Sequence, residues 1–162
     1  METDRLPPVK PRSKLATVCD ALNAAGARYV LIGGQAVIIW GQVRTTRDID
    51  VLIEATPENA ERVLEGLADI GFILVRDLDA KEVASRPFTI IGDLWRVDLL
   101  TIAWSVRYPA ARVDATVFAI EGVDIPVASI PHLIESKRTG RLQDAADIEV
   151  LEQIQERRRA DG

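Results

Sequence analysis

The chain has 162 residues, of which 48% are hydrophobic and 28% charged, and its formal net charge is −5. This composition is typical of one globular domain with a sizeable core, and no apolar run reaches the roughly 18 residues of a membrane span. The acidic balance leaves a nucleic-acid partner possible but does not favour it. The single Cys19 excludes an internal disulfide and the single His132 excludes a histidine-based zinc cluster, so any metal site must use carboxylates.

The termini differ in character from the rest of the chain. The first residues, METDRLPPVKPRSK, are polar and proline-rich rather than typical of a signal peptide, which favours a cytoplasmic protein. We expect residues 1–11 to form a mobile arm, residues 12–156 a single domain, and residues 157–162 a frayed tail.

Helices and strands alternate along the predicted domain. Apolar residues at helical spacing predict helices over about 13–25, 57–70, 130–139 and 143–156, and Ser13, Thr56 and Ser129 can cap the first three. Runs of β-forming residues predict strands at 29–32, 47–54, 72–75, 88–91, 94–101, 116–120 and 123–127. Residues 76–86 and 103–113 are interpreted as irregular connections. The sum is an α+β fold, a mixed sheet flanked by helices.

Two short turns define the predicted hairpins. If Gly92-Asp93 is a two-residue turn, Pro87 lies opposite Asp98 in the paired strands. Glu121-Gly122 is the second candidate turn, between the strands at 116–120 and 123–127.

The stretch 29–54 carries the strongest chemical signal. An apolar strand ends at Gly33-Gly34, where the missing Cβ atoms allow a tight turn close to a ligand. The short apolar helix that follows presents free N–H groups that suit a phosphate. Asp48 and Asp50 then share one face of the next strand, with Cα atoms roughly 6.5–7 Å apart. Two carboxylates this close raise each other's pKa, and a divalent cation such as Mg²⁺ relieves the repulsion.

The order Gly33-Gly34, thirteen intervening residues, then Asp48-Ile49-Asp50 resembles the signature of the DNA polymerase β-like nucleotidyltransferase superfamily. The resemblance implies a third carboxylate on a neighbouring strand, and Asp98 in the segment RVDLL fits that place. It also implies that the three aspartates hold two Mg²⁺ ions and that Asp98 accepts the proton of the acceptor hydroxyl. The glycines would bind the β- and γ-phosphates through backbone N–H groups, without the serine hydroxyl that many members carry at the Gly34 position.

A second resemblance concerns the C-terminal part. The segment IPHLIESK at 130–137, with Asp144 and Asp147, is similar to the helical tail of small bacterial nucleotidyltransferases, including lincosamide-type antibiotic enzymes and toxin-like abortive-infection members. It implies that Lys137 binds phosphate. The alternative for Lys137 is a surface lysine paired with Asp144. Arg44 and Arg47 either neutralise the acids or contact phosphate.

Two functions follow as hypotheses. The first is a Mg²⁺-dependent nucleotidyltransferase that uses a nucleoside triphosphate such as ATP and a small-molecule, protein or RNA acceptor. The second is a catalytically idle binding module, such as a toxin–antitoxin component. Both hypotheses allow the protein to form a homodimer or to bind a partner protein. The three tryptophans, Trp40, Trp95 and Trp104, are interpreted as core residues.

Overall fold

The computed structural model describes residues 10–162. Within these residues the chain forms a mixed six-stranded sheet flanked by helices, as the sequence predicts. The strands are β1 (Tyr29–Ile32), β2 (Ile49–Ile53), β3 (Phe88–Ile91), β4 (Val97–Leu100), β5 (Thr116–Ile120) and β6 (Val123–Val127). The helices are α1 (Lys14–Ala24), α2 (Gly33–Trp40), α3 (Pro57–Asp69), α4 (Ala80–Ser85), α5 (Tyr108–Asp114), α6 (Ile130–Ser136) and α7 (Leu142–Ala160).

The strand order is β3-β4-β2-β1-β6-β5. The two central pairings that matter for the site are antiparallel β1–β2 and parallel β2–β4. Since β3 and β4 follow β2 only after α3 and α4, the chain crosses over before it returns to the edge of β2. This crossover brings residues that are far apart in sequence to one end of the sheet.

Local sequence signals set most helix boundaries. The hydroxyl oxygens of Ser13, Thr56 and Ser129 accept bonds from the backbone N–H groups of Ala16, Asn59 and His132, so each of the three predicted N-caps is confirmed. Such caps contribute about 1 kcal/mol each, because they satisfy donors that a helix start leaves free. Gly41, with φ of 131°, ends α2.

The core lies between the sheet and the helices. Its fully buried side chains come from α1, α3, α6, α7 and every strand except β5, with Phe72 between α3 and β3 among the largest. They are Phe72, Leu22, Leu31, Ile49, Leu52, Ile53, Leu67, Ile91, Leu99, Ile125, Leu133 and Leu151. Burial of each such side chain stabilises the fold by about 1.5–3 kcal/mol, which explains why the aspartate strands hold their register.

The predicted strand at residues 72–75 is wrong. Phe72 is buried edge-to-face against Trp95, with ring centroids 6.1 Å apart, and Leu74–Asp77 form a 3₁₀ turn. The side chain of Asp93 accepts bonds from the backbone N–H groups of Ile73 and Leu74, at 2.7 and 3.3 Å. The contact of Phe72 with Trp95 and the bonds to Asp93 hold this segment as a turn, although β3 is the edge strand and pairs only with β4 among the described residues.

The register predicted for the first hairpin, between β3 and β4, is also wrong. Ile91 pairs with Val97 and Ile90 with Asp98, so residues 92–96 form a five-residue connection instead of a two-residue turn. Pro87 lies opposite Thr101 and not Asp98. The backbone N–H of Thr101 donates to the carbonyl oxygen of Pro87 at 2.9 Å. Asp93 bonds to the 72–75 segment and therefore belongs to a longer loop, residues 92–96, than a two-residue turn. The second hairpin is confirmed: Ile120 pairs with Val123 across Glu121-Gly122, both at positive φ, as a type I′ turn requires.

Three helical segments differ from the prediction. The polar segment 76–86 contains α4, capped by Asp79, and the predicted connection 103–113 contains most of α5, with Pro109 in its first turn. α7 continues to Ala160, four residues beyond its predicted end at Glu156, and the guanidinium of Arg158 lies over the Trp40 ring at 4.9 Å. The predicted arm at residues 1–11 falls almost wholly outside the described residues. Between residues 10 and 162, no helix combines the length and the hydropathy that crossing a membrane requires.

Candidate active site

Asp50 and Asp98 lie directly opposite each other on adjacent parallel strands, because β2 and β4 pair with Asp50 in register with Asp98. Residues in register on neighbouring strands point to the same face of a sheet, so the two carboxyl groups share one pocket. Asp48 immediately precedes β2, and its side chain is 44% exposed. The three aspartates line one cavity of about 560 Å³.

The electrostatics of Asp50 show how closely the acids are placed. Its pKa is raised to about 7, first by burial, then by the charge of Asp98 and a hydrogen bond with it, and then by the charge of Asp48; Lys137 opposes the rise. Two carboxylates that cannot both ionise freely favour either a shared proton or a cation between them. Strong perturbation in a cleft is typical of a functional site.

Arg96 supplies a cation from the protein itself. Its guanidinium contacts both carboxylate oxygens of Asp98, at 3.2 and 3.3 Å, and its Nε is 3.8 Å from an Asp48 oxygen. In this arrangement the part of the chain from residue 10 onward presents no group of three histidine, cysteine or acidic side chains set to hold a metal ion. The donor set nevertheless fits Mg²⁺, which takes oxygen ligands, because Asp50 and Asp98 already converge. Asp48 lines the same cavity and is half-exposed.

The Gly33-Gly34 turn lies against the acids. Gly33 has φ of 72°, and a Cβ built on it would lie 2.1 Å from an Asp50 carboxylate oxygen. A residue with a side chain fits neither the backbone conformation nor the space, so glycine is what lets β1 end beside Asp50. α2 starts at Gly33 with no side-chain cap, which leaves N–H groups at its N-terminus for an anion. Both glycines line the same cavity as the aspartates.

A buried ion network closes the cavity on the helical side. Asp147, with a side chain only 1% exposed, accepts bonds from Arg44 at 2.6 Å and from Lys137 at 2.9 Å. Gln42 and Gln143 donate to its other oxygen. Burial by itself opposes ionisation of Asp147, but these bonds, led by that from Lys137, outweigh it and hold its pKa below the ordinary value. The network joins the segments that follow α2 and α6 to α7 beside the site.

The structure places Lys137 in the cavity and close to Asp144, and its phosphate-binding role stays a prediction. It is buried and lines the cavity, as a phosphate ligand must, and its ammonium is also 3.7 Å from Asp144, as the alternative expects. An ammonium has three N–H donors, and among residues 10–162 only Asp147 accepts a bond from one of them. Donors therefore remain for a ligand oxygen.

The two arginines near the motif take different places. Arg44 lines the cavity and pairs with Asp147. Arg47 is exposed, makes no ion pair with the described residues, and is absent from the lining. The nucleotide-binding role predicted for Arg47 therefore stays a prediction, whereas Arg44 has the position that role requires.

Sequence reasoning missed one wall of the cavity. Trp104, interpreted as a core residue, is 58% exposed and lines the cavity together with Phe88 and Ile90 of the edge strand β3. Arg96, the first residue of the segment RVDLL, also lines the cavity. From the sequence, an apolar residue in a connection fits either the core or an exposed binding surface. The positive φ of Trp104, which sets this residue apart, is visible only in the structure.

Comparison with known proteins identifies the family and the fold. A profile of the aminoglycoside-2''-adenylyltransferase family matches residues 14–151, which is most of the chain. The chain belongs to that family. The match spans Gly33, Gly34, the three aspartates and Lys137, so the superfamily resemblance seen in the motif is confirmed and the chain is a member of a nucleotidyltransferase family.

A solved structure shares the fold. It is the crystal structure of an antigenic nucleotidyltransferase-like protein from Paracoccidioides brasiliensis, with a TM-score of 0.55 and 17% sequence identity. The alignment covers 86% of this chain and 72% of that one. At this identity the likeness shows the fold alone. A comparison with curated proteins found no match.

Proposed function

We propose that this chain is a Mg²⁺-dependent nucleotidyltransferase that moves a nucleoside monophosphate from a nucleoside triphosphate to an acceptor hydroxyl. The observation that carries the proposal is the register of Asp50 opposite Asp98, beside a glycine turn that starts a helix. The family name supports ATP as the donor and an adenylyl group as the group transferred.

The residues divide the reaction among them. Asp48, Asp50 and Asp98 would hold two Mg²⁺ ions, which supply charge neutralisation around the reacting phosphate when bound. The backbone N–H groups at Gly33 and Gly34 bind the β- and γ-phosphates at the positive end of α2.

Two cationic side chains complete the phosphate side. Lys137 and Arg44 face the cavity from the helical side and bind the triphosphate as a point charge and a forked donor, respectively. Their shared partner, Asp147, holds both in place, since each bond fixes a long flexible side chain.

Asp98 accepts the proton of the acceptor hydroxyl. As the acceptor oxygen forms a bond to the α-phosphorus, the bond to the pyrophosphate oxygen breaks and pyrophosphate leaves. The hydroxyl proton passes to the Asp98 carboxylate, acting as general base. Arg96 must loosen its contact with this carboxylate for the transfer, because its guanidinium contacts both of the oxygens that could take the proton.

The experiment measures nucleotide binding and turnover separately. Calorimetric titration with ATP, with and without Mg²⁺, tests binding, and release of pyrophosphate tests transfer. Asp50→Asn and Asp98→Asn should keep the fold and lower transfer at least about 100-fold, as loss of a catalytic group does. Asp69→Asn, an exposed acid at the end of α3, is the matched control and should retain activity. Transfer that survives both site substitutions would refute the assignment.

One observation favours the second candidate, a catalytically idle module. Arg96 joins Asp98 and Asp48 in an ion-pair set that satisfies these acids without a metal. In that case ATP binding would be absent or independent of Mg²⁺, and Arg96→Gln would not change it. If the enzyme is active, Arg96→Gln should instead strengthen Mg²⁺ binding, since the competing cation is removed.

A further inference from the structure

The segment that leads into β2 lines the cavity with every second side chain, which is the alternation of an extended chain. The lining side chains of this row are Arg44, Thr46, Asp48 and Asp50. The residues at the alternate positions before the strand are exposed and absent from the lining; they are Val43, Thr45 and Arg47. Thr46 therefore stands in the cavity between a cation and the first acid of the site.

Thr46 packs against the first turn of α2. A Cβ built on Gly34 would lie 3.2 Å from the Cβ, the Cγ2 and the Oγ1 atoms of Thr46, which is tighter than nearly all real contacts of a Cβ. A side chain at position 34 would therefore compete with Thr46 for one space. Because Gly34 has no Cβ, the Thr46 hydroxyl comes close to the start of the helix, where the backbone N–H groups are free.

The Thr46 hydroxyl is available to a ligand. Among residues 10–162 it makes no hydrogen bond, and the buried side-chain oxygens that lack a partner belong to Gln42 and Thr89 instead. Its oxygen is therefore open to the cavity that the residue lines. A hydroxyl has one O–H donor and two acceptor positions, and none of these is used within the described part of the chain.

The charges on the helical side of the cavity favour an anion. Arg44 and Lys137 both bond to Asp147, and the second acid on this side, Asp144, bonds to Arg141. Three cations thus face two carboxylates, and the positive end of α2 adds to them. A guanidinium has five N–H donors and an ammonium three, so donors remain for the oxygens of a bound anion.

The other end of the row carries Asp48. This carboxylate is half-exposed and shares Arg96 with Asp98. A carboxylate repels a phosphate, and the Mg²⁺ that the proposed function places at Asp48 reverses the sign of that interaction. Thr46 lies one step along the row from each neighbour and carries no charge. Its hydroxyl therefore meets a phosphate chain that runs from the cations to the acids.

We propose that the Thr46 hydroxyl donates a hydrogen bond to a non-bridging oxygen of the triphosphate, beside the N–H groups of Gly33 and Gly34. The inference deepens the proposed function and rests on it, because it takes the triphosphate to lie at the start of α2. Thr46 is then a phosphate-binding residue contributed by the segment before β2. The absent side chain at Gly34 is what gives its hydroxyl room to reach the phosphate.

Calorimetric titration with ATP and with inorganic tripolyphosphate, each in the presence of Mg²⁺, tests the assignment. Thr46→Val keeps the branched shape of the side chain and removes the hydroxyl. It should weaken binding of both probes at least about tenfold, because hydrogen bonds to charged groups are the strong ones. Thr46→Ser keeps the hydroxyl and should bind both probes as wild type does. Thr45→Val, at the exposed neighbouring position outside the cavity lining, is the matched control and should leave both affinities unchanged.

Three results would overturn the proposal. The first is equal affinity of wild type and Thr46→Val for both probes. The second is an equal loss in Thr46→Val and Thr46→Ser, which would assign the effect to packing instead of the hydroxyl. The third is a loss confined to ATP, which would place the hydroxyl at the nucleoside. Thermal unfolding of the free proteins gives a second readout: Thr46→Val should keep the wild-type midpoint, because the hydroxyl has no partner in the described chain to lose.

The same measurements separate this proposal from the proposed function. If ATP binds and Thr46→Val binds it equally well, the nucleotide site stands and the role of Thr46 is wrong. If both probes bind through the Thr46 hydroxyl but no pyrophosphate is released from ATP, the phosphate ligand stands and the transfer reaction fails. If wild-type protein binds neither probe, both proposals are refuted.

Discussion

Lys137→Met gives the sharpest test of the buried network. Lys137 and Asp147 have side chains 9% and 1% exposed, and their charged atoms are 2.9 Å apart. Methionine keeps the length and most of the apolar stem but removes the charge. The Asp147 carboxylate would then be buried with one cationic partner instead of two.

The magnitude follows from what remains around Asp147. Removing one partner of a fully buried ion pair costs about 3–5 kcal/mol, because an uncompensated charge is left behind. Here Arg44 still bonds at 2.6 Å, and two glutamine side chains still donate. Because these partners remain, we expect Lys137→Met to lower the free energy of unfolding by about 2–3 kcal/mol, which is less than the loss of a sole partner costs. Urea denaturation measures the change.

The neighbouring residue provides the control. Arg138 is on the same stretch of chain and bonds to Glu135 at 2.7 Å, but these side chains are 56% and 40% exposed. An exposed pair contributes about 0–1 kcal/mol, so Arg138→Met should cost no more than that. If the two variants lose the same stability, the Lys137 bond is no stronger than a surface pair and the reasoning is refuted.

The dependence on pH gives a second check on the same pair. The pKa of Asp147 is lowered in the folded protein, so its stabilising contribution is complete above the unfolded-state pKa and is lost as the pH falls through the folded value. The stability difference between wild type and Lys137→Met should therefore be full at about pH 7 and shrink below about pH 4. A difference that grows in acid would contradict the assignment.

Three further outcomes are expected. Gly33→Ala should lower the free energy of unfolding, measured in urea, by about 3 kcal/mol, because alanine is strained at this positive φ and its Cβ would overlap Asp50. Gly34→Ala should cost far less, because its Cβ would meet its nearest neighbour at 3.2 Å; equal costs would contradict the geometry. Trp104→Gly should be about 1 kcal/mol more stable than Trp104→Ala, since glycine relaxes the backbone at φ of 57°, and the reverse order would disprove the strain. Burial raises the pKa of the Cys19 thiol to about 12, so an aromatic disulfide reagent should label the protein at pH 8 only after unfolding; rapid labelling of the native protein would show that this interior opens.

The sequence by itself determined the parts of this protein that depend on near neighbours. A hydroxyl three residues before a free N–H makes a helix cap wherever it occurs, which is why Ser13, Thr56 and Ser129 were predicted correctly. The glycine turn and the Asp48–Asp50 alternation are equally local, and their spacing was enough to indicate the nucleotidyltransferase superfamily.

Only the tertiary structure decided which strands meet and in what register. The conformation of residues 72–75 depended on the contact of Phe72 with Trp95 and on the bonds that Ile73 and Leu74 donate to Asp93, in the loop before Asp98. The placement of Asp98 opposite Asp50 depends likewise on contacts between distant segments. So does the exposure of Trp104 in the cavity: its strained turn is held by α6, which lies more than twenty residues further along the chain. Pairings of this kind depend on every segment that competes for an edge or a cavity, and no local pattern records that competition.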